Sequence, residues 1–370
     1  MKFTIIRETL LEPLSRIHNI IENRRTLPIL SNVLLVTRDN TLSMTGTDME
    51  MELITNVELI DSSPGETTVS ARKIFDICRA LPAGAEISFV QEKGKAIVRA
   101  GNSRFLLGTL PAAEYPNSSI LTEGTRIVGK QGSIKELIEL TQFAIANQDV
   151  RYWLNGLLLE ISKKSIRVVA TDGHRLALAE LDLEVDGIDE DILQLIVPRK
   201  GVGELAKMLG TGEDKIELCI GSNALQIEFL DTRFTTKLID GRYPDYNGVL
   251  PNLSQCNKEA LIEKELLRQT LIRSAILCGE GHRAVRMLFN KNSLQINTRN
   301  MEREEADDEI YIDYVGEPLE IGFNITYLLE AIGAIPTKEI RLHFKDVSGS
   351  CLIKPVGKEN CQYVVMPMKL

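Results

Sequence analysis

The sequence predicts an α+β chain of three repeated domains, each made of two βαβββ halves. One observation is a strand, a short polar or glycine-containing junction and an amphipathic helix that recur at Thr68–Leu81, Leu195–Leu209 and Leu319–Ile332. Arg72 and Arg199 stand 127 residues apart in this pattern, and Arg199 and Asn324 stand 125 apart. A second observation is a strand that ends on Thr-Asp at Leu42–Asp48 and again at Ile166–Asp172, 124 residues on, with Leu294–Asn300 as a weaker third copy. The third is a triplet of alternating strands that follows each of the three helices.

The elements follow in order. Each repeat opens on a helical pattern, at Thr9–Arg25, Ser133–Asn147 and Glu259–Leu277. In the second of these, Ile134, Leu137, Ile138 and Thr141 share one face. Ser133 ahead of Ile-Lys-Glu136 has the spacing of a capping box. The second helix of each repeat is expected at Ala71–Leu81, Val197–Leu209 and Asn324–Lys338. Strands joined by glycine-containing turns are expected at 86–91, 95–100 and 104–110, then at 215–220, 224–229 and 233–239, and finally at 339–345, 350–355 and 362–366. Proline-containing joints at Tyr115–Gly124 and Asp245–Asn252 separate the repeats and give domains 1–122, 123–250 and 251–370. Both joints are short, so the domains are expected to pack rather than hang loose.

The bulk numbers fit this reading. A chain of 370 residues has room for two to four domains, and 44% hydrophobic with 26% charged residues is ordinary for a folded protein. The start, Met1-Lys2-Phe3-Thr4-Ile5-Ile6-Arg7-Glu8, carries charge where a secretory signal needs an apolar run, and no stretch is long and apolar enough for a membrane span. A cytoplasmic location is expected. The six cysteines lack CxxC spacing and the four histidines are scattered, so free thiols and no metal site are expected. A net charge of −9 excludes a simple basic DNA-coating protein. The predicted helices nevertheless sum to +4 and the rest of the chain to −13, so a helix-lined surface is the one place where phosphate could be met.

Four segments are candidates for chemistry. Gly201-Val-Gly203-Glu-Leu-Ala206 fits the loosest dinucleotide fingerprint, but Pro198-Arg199-Lys200 separates it from its strand and the other repeats lack the glycines. Thr171-Asp-Gly-His-Arg-Leu176 carries Asp172 and His174, a pair suited to proton transfer, without any nucleophile motif beside them. A turn network that shapes a surface pocket is the better reading of it. Gln148-Asp-Val-Arg-Tyr-Trp153 places two aromatic rings beside Arg and Gln, either as a base-stacking platform or as one ring in the core with one above it. The tail Tyr363–Leu370 is apolar almost to its end, as a buried last strand or the wall of an adaptable peptide groove.

At these residues the chain resembles the bacterial beta sliding clamps, the processivity subunits of replicative DNA polymerase III, over its whole length. The motifs are Met1-Lys-Phe-Thr, Thr26-Leu-Pro-Ile-Leu30, Gly46-Thr-Asp48, Ala71-Arg-Lys73, Gln148-Asp-Val-Arg-Tyr152, Leu154-Asn-Gly156, Ala170–Leu176, Val197–Gly201, Asp240–Asp245, Gly322-Phe-Asn324 and Val364-Val-Met-Pro-Met368. The resemblance implies a DNA-clamp fold in which each chain forms half of a ring, helices inside and sheets outside. It implies a non-catalytic, cofactor-free, head-to-tail homodimer that encircles double-stranded DNA. Implied partners are the replicative polymerase alpha subunit, the clamp loader complex, and other polymerases and repair proteins that carry a clamp-binding peptide.

The family's peptide pocket maps to Leu154, Thr171, Gly173, His174, Arg175, Leu176, Pro244, Val249, Asn324, Tyr327, Val364, Met366, Pro367 and Met368. Its DNA-contacting positions map to Arg24, Arg72, Gln148, Tyr152, Trp153, Arg199 and Lys200. Its dimer contact maps to Phe105 and Leu107 on one side and to Ile276 and Leu277 on the other. Asn247, Gly248, His282, Ser348 and Gly349 depart from better-known members around the pocket rim, where partner preference is set. Two rival readings stand beside this one: a nucleotide-dependent enzyme built on Gly201–Ala206, and a multidomain scaffold without DNA topology.

Overall fold

The computed structural model of the chain describes residues 1–21, 27–116, 121, 124–185, 192–279 and 283–369. Six α-helices occur among them: α1 (Arg7–Ile20), α2 (Ala71–Ala80), α3 (Gln131–Thr141), α4 (Arg199–Met208), α5 (Lys264–Ala275) and α6 (Ile325–Ala334). Each helix follows a strand and is followed by three more, so the βαβββ half occurs six times. Two short extra strands, Asp61–Ser63 and Asp313–Val315, are the additions to that rule.

The first half of the third repeat differs from the sequence expectation. Residues 259–277 do not form one helix: Lys258–Glu263 is a strand, antiparallel to Glu339–Phe344, and α5 starts at Lys264. Glu, Ala, Leu and Lys favour helix in isolation, but sheet pairing that buries Ala260 and Ile262 overrides that preference. Ser133 is not a cap, because α3 begins two residues earlier at Gln131. α1 runs from Arg7 to Ile20, and part of its expected C-terminal extension, residues 22–26, lies outside the described residues. The capped starts are elsewhere: Ser70 accepts the Lys73 amide at 3.5 Å before α2, and Asn324 accepts the Thr326 amide at 3.0 Å before α6.

The chain divides into two compact units, Met1–Gly132 with Gly203–Leu238, and Ser133–Val202 with Ile239–Leu370. The second repeat contributes to both. In the first unit, thirteen strands form one sheet. Its middle seam pairs Thr232–Lys237 antiparallel with Met51–Glu58, with Phe234 opposite Leu53. α1 and α2 lie on this unit and bury Leu10, Leu14, Ile17, Ile74 and Cys78 against Val33, Leu35, Met44 and Leu53. Gly46 is required there, because a Cβ would sit 2.6 Å from the Ile17 methyl.

In the second unit, nine strands form one sheet and four form another. The nine-stranded sheet has the same kind of seam: Cys361–Val365 pairs antiparallel with Arg175–Asp182, with Tyr363 opposite Ala177. Phe234 and Tyr363 therefore hold equivalent places, and both are fully buried. The corresponding last strand of the first repeat is Ser103–Leu110, whose Phe105 matches them. Its residues Ser103–Gly108 pair only on one side, with Lys95–Ala100, among the described residues. The strand of the third repeat that corresponds to Met51–Glu58 and Arg175–Asp182 is Glu305–Tyr311. It is the outer strand of the four-stranded sheet and pairs, among the described residues, only with Ser293–Arg299.

Candidate functional site

A densely hydrogen-bonded polar turn of the second unit lies between strands Ser165–Thr171 and Arg175–Asp182. Thr171 Oγ1 donates to the Arg175 carbonyl at 2.6 Å and accepts the Gly173 amide at 3.1 Å. Asp172 Oδ1 accepts the amides of His174 and Arg175 at 2.9 and 3.0 Å, and its Oδ2 accepts Arg175 Nε at 3.1 Å. The Asp172 carboxylate is thus occupied by the turn, and no nucleophile stands beside His174. The geometry builds a rigid surface feature and no proton relay.

Arg175 ties this turn to the rest of the unit. Its side chain is 9% exposed, and the guanidinium pairs with Asp172 and Glu330, donates to the Phe143 carbonyl at 2.8 Å, and lies 4.6 Å from the centre of the Tyr327 ring. His174 stacks on the same ring, with centroids 5.9 Å apart. Burial raises the Tyr327 hydroxyl pKa above the usual tyrosine value, with the Asp172 carboxylate acting in the same direction. Replacing Arg175 by alanine is expected to lower the urea midpoint of unfolding, with a cost of about 2 kcal/mol, since Asp172 and the Phe143 carbonyl lose a buried partner and Glu330 is part-solvated. An unchanged midpoint would show that the guanidinium carries no structural weight.

The C-terminal segment closes one side of the turn. Met366 N donates to the His174 carbonyl at 2.9 Å, and Met368 N donates to the Gly322 carbonyl at 2.8 Å, so Met366–Met368 is pinned at one end to the turn and at the other to strand Leu319–Asn324. Leu154, Leu176 and Val364 share one buried cluster with Tyr243 and Tyr246, and Val249 and Leu250 pack on it. The Tyr243 oxygen accepts the Thr171 amide at 3.0 Å, which fixes neighbouring Pro244 on the surface. Met366 and Pro367 are half-buried and Met368 is 40% exposed. Gly173 and His174 are exposed, Tyr327 is half-buried, and Asn324 caps α6. All fourteen expected pocket residues fall in this one unit, with an apolar floor and a soft thioether edge. Sequence reasoning missed Glu330, which carries no motif, and Tyr243, which the Asp240–Asp245 run contained.

The segment before Leu154 is also held by side chains. Gln148 is exposed in the left-handed region at φ 55°. Asn155 bonds the Asp149 backbone in both directions, at 2.9 and 2.8 Å, and Arg151 bonds the Asp149 carboxylate and the Asp172 carbonyl. The Arg151 hydrogen bond holds the Asp149 carboxyl down at about 2, so this clamp is complete above the ordinary carboxylate range and is lost only as pH falls through that value. Tyr152 is 53% exposed, while Trp153 packs against the core, edge-on to it at 5.0 Å. The two rings do not form a flat platform: Tyr152 stands out in solvent and Trp153 beside it is half-buried.

The remaining expected positions are scattered through both units. Arg199 starts α4 and donates to the carbonyls of Ile145 and Ala146, with Lys200 half-buried beside it. Arg72 is exposed on α2, 3.8 Å from Asp76. Arg24 and His282 lie outside the described residues. Phe105 is half-buried and Leu107 is buried, while Leu106 between them is 48% exposed, as strand alternation requires. Ile276 is 77% exposed just past α5, and Leu277 is half-buried. Gly201 and Gly203 lie inside α4 and form no phosphate-cradling loop. Among the described residues, no group of three His, Cys, Asp or Glu side chains is placed to hold a metal ion, and no helix is long and apolar enough to cross a membrane.

Three repeats of a helix pair on antiparallel sheet define the class as a clamp subunit. Family comparison agrees domain by domain: the DNA polymerase III beta subunit matches through its N-terminal domain at residues 1–119, its central domain at 130–245 and its C-terminal domain at 248–369. The chain is 45% identical to the beta sliding clamp of Escherichia coli K12 over 371 residues, all of both chains. The crystal structure of the DNA polymerase III subunit beta from Pseudomonas aeruginosa superposes with a TM-score of 0.95 at 43% identity, again over all of both chains. A sliding clamp from the same organism has been solved bound to griselimycin, with the same score and identity. The chain belongs to the DNA polymerase III beta subunit family. It is a DNA sliding clamp, a processivity factor and not an enzyme.

Proposed function

We propose that two copies of the chain close head to tail into a ring around duplex DNA, and that the site around Met366 and Met368 tethers the replicative polymerase and other proteins by a short peptide. The observation that carries the ring is the pair of open sheet edges. Two seams join a last strand to the strand after a Thr-Asp or equivalent turn, at Thr232–Lys237 with Met51–Glu58 and at Cys361–Val365 with Arg175–Asp182. The third pair in that series is Ser103–Leu110 and Glu305–Tyr311, and each keeps an open edge. An open edge at both ends of a repeating series is satisfied by a second copy, and two such contacts complete the series. By the same register Phe105 faces Ala306 of the partner subunit and Arg104 faces Asp307 of the partner subunit, an apolar pair beside an ion pair. Ile276 and Leu277 extend the contact beside Phe105 and Leu107.

The domains that build this ring are 1–122, 123–250 and 251–370. Inside it, Arg24, Arg72, Gln148, Tyr152, Trp153, Arg199 and Lys200 meet DNA. The six observed helices carry twelve Lys and Arg against eight Asp and Glu, in a chain whose totals are 43 against 52. A weakly positive lining favours mobile phosphate contacts that allow sliding, while the acidic remainder repels DNA. A loader complex opens the ring in the cytoplasm, and the clamp needs no cofactor of its own. Salt-resistant retention on nicked circular plasmid, after loading with the cognate loader and ATP, tests this. Retention is expected on the circle and loss on a single cut; equal retention on both forms would mean ordinary surface binding and overturn the ring.

A further inference from the structure

The segment from Gly241 to Leu250 carries Pro244 and Val249, two of the expected pocket residues, and belongs to no helix or strand. Among the described residues, no main-chain amide from Asp240 to Gly248 donates to a main-chain carbonyl. Two tyrosines hold the segment instead. The Tyr243 and Tyr246 side chains are buried in one cluster with Leu158, Val169, Leu178 and Ile196. Tyr243 accepts the Thr171 amide, and Tyr246 reaches further across the sheet.

Those four apolar residues stand side by side on neighbouring strands. Ile196 is opposite Leu158, Leu158 opposite Val169, and Val169 opposite Leu178. Two residues along each strand, the same face carries a polar row: Gln194 opposite Glu160, Glu160 opposite Arg167, and Arg167 opposite Glu180. The Tyr246 hydroxyl donates to Glu160 Oε2 at 2.5 Å, and Gln194 Nε2 donates to Glu160 Oε1 at 2.6 Å. Arg167 donates to the Tyr246 oxygen at 3.3 Å and to Glu180 Oε2 at 3.0 Å, and stands 3.9 Å from Glu160 Oε2. Glu160 is 8% exposed, and a carboxylate is tolerated at that depth because both of its oxygens accept hydrogen bonds. Burial, and then the bond to Glu160, push the Tyr246 hydroxyl up to about 12, so it remains a donor at neutral pH. Without this bond the wall would keep one hydroxyl anchor in place of two. A loosened wall has to be ordered again when a ligand arrives, and that cost weakens binding.

We propose that Glu160 is a positioning residue of the peptide site: supported by Gln194 and Arg167, it fixes Tyr246 and through it the wall of Pro244 and Val249 before a peptide binds. The inference rests on the reading of the Met366–Met368 site as a peptide pocket. Calorimetric titration of the full-length protein with a polymerase-derived peptide tests it, with urea unfolding of each variant measured beside it. Tyr246→Phe keeps the ring in the cluster and removes only the hydroxyl. It is expected to weaken the peptide about fivefold. Glu160→Leu removes the acceptor and is expected to cause the same loss. The double variant is expected to lose no more than either single one, because all three lack one and the same bond. Glu160→Gln keeps an oxygen for the hydroxyl and is expected to bind within about twofold of the parent. In the free protein the Val249 amide, which donates to the Tyr246 carbonyl, is expected to exchange faster in Tyr246→Phe.

A lower urea midpoint with unchanged peptide affinity in Tyr246→Phe overturns the positioning role and leaves the polar row as scaffold, while the pocket stands. Tyr246→Phe decides this alone if Glu160→Leu does not fold. Losses that add in the double variant overturn the shared path from Glu160 through Tyr246. A parent protein that does not bind the peptide overturns the pocket itself, and the positioning role falls with it.

Discussion

Replacing Ile276 and Leu277 together by alanine is expected to leave a folded chain that no longer dimerises. Ile276 is 77% exposed and Leu277 half-buried, so the chain's own core loses little. In the proposed ring both side chains are covered by the partner's first repeat. Truncating them removes about 2 kcal/mol of apolar burial per contact. A closed ring has two such contacts, so the dissociation constant rises by roughly a thousandfold. Sedimentation velocity over a dilution series reads this directly. Main-chain pairing along Ser103–Gly108 survives the substitution, so some association at high concentration is compatible with the proposal. An unchanged dimer dissociation constant is not, and would place the interface elsewhere. Ile60→Ala is the control: its side chain is also well exposed, at 57%, and it belongs to neither open edge strand.

How much of this was legible in the sequence follows from what each residue responds to. Strands such as Lys95–Ala100 and Lys215–Ile220 alternate because one face is buried, and that alternation is local. The repeat spacing exposed the six halves for the same reason, since equivalent cores demand equivalent patterns. Lys258–Glu263 was illegible because its helix-forming residues become a strand only when Glu339–Phe344 lies beside them, some eighty residues on. The turn at Thr171 was legible as polar and tight, but Glu330, which grips Arg175, belongs to a helix with no charge pattern of its own. On Ser103–Leu110, alternation leaves Leu107 buried and Leu106 exposed within the single chain. A single strand shows which residues share a face; it does not show which face stays open.

The pocket gives the other large expected effect. Met366→Ala with Met368→Ala should weaken binding of a polymerase-derived peptide roughly thirtyfold, about 2 kcal/mol, by removing two thioether contacts from the groove edge. The frame should survive, because the tail is held by main-chain bonds from Met366 to His174 and from Met368 to Gly322, which alanine keeps. The floor of Leu154, Leu176 and Val364 is also untouched, and it continues to pack on Tyr243 and Tyr246. What changes is the adaptable rim. Met366 is half-buried and Met368 40% exposed, so both have surface left for a ligand to cover. Calorimetric titration with the peptide gives the affinity, and the dimer measured in parallel should not change, since neither residue lies on an open edge strand. A loss confined to the peptide would locate tethering at the tail. An affinity within twofold of the parent would remove the tail from the site and leave the Thr171 turn without its proposed partner wall.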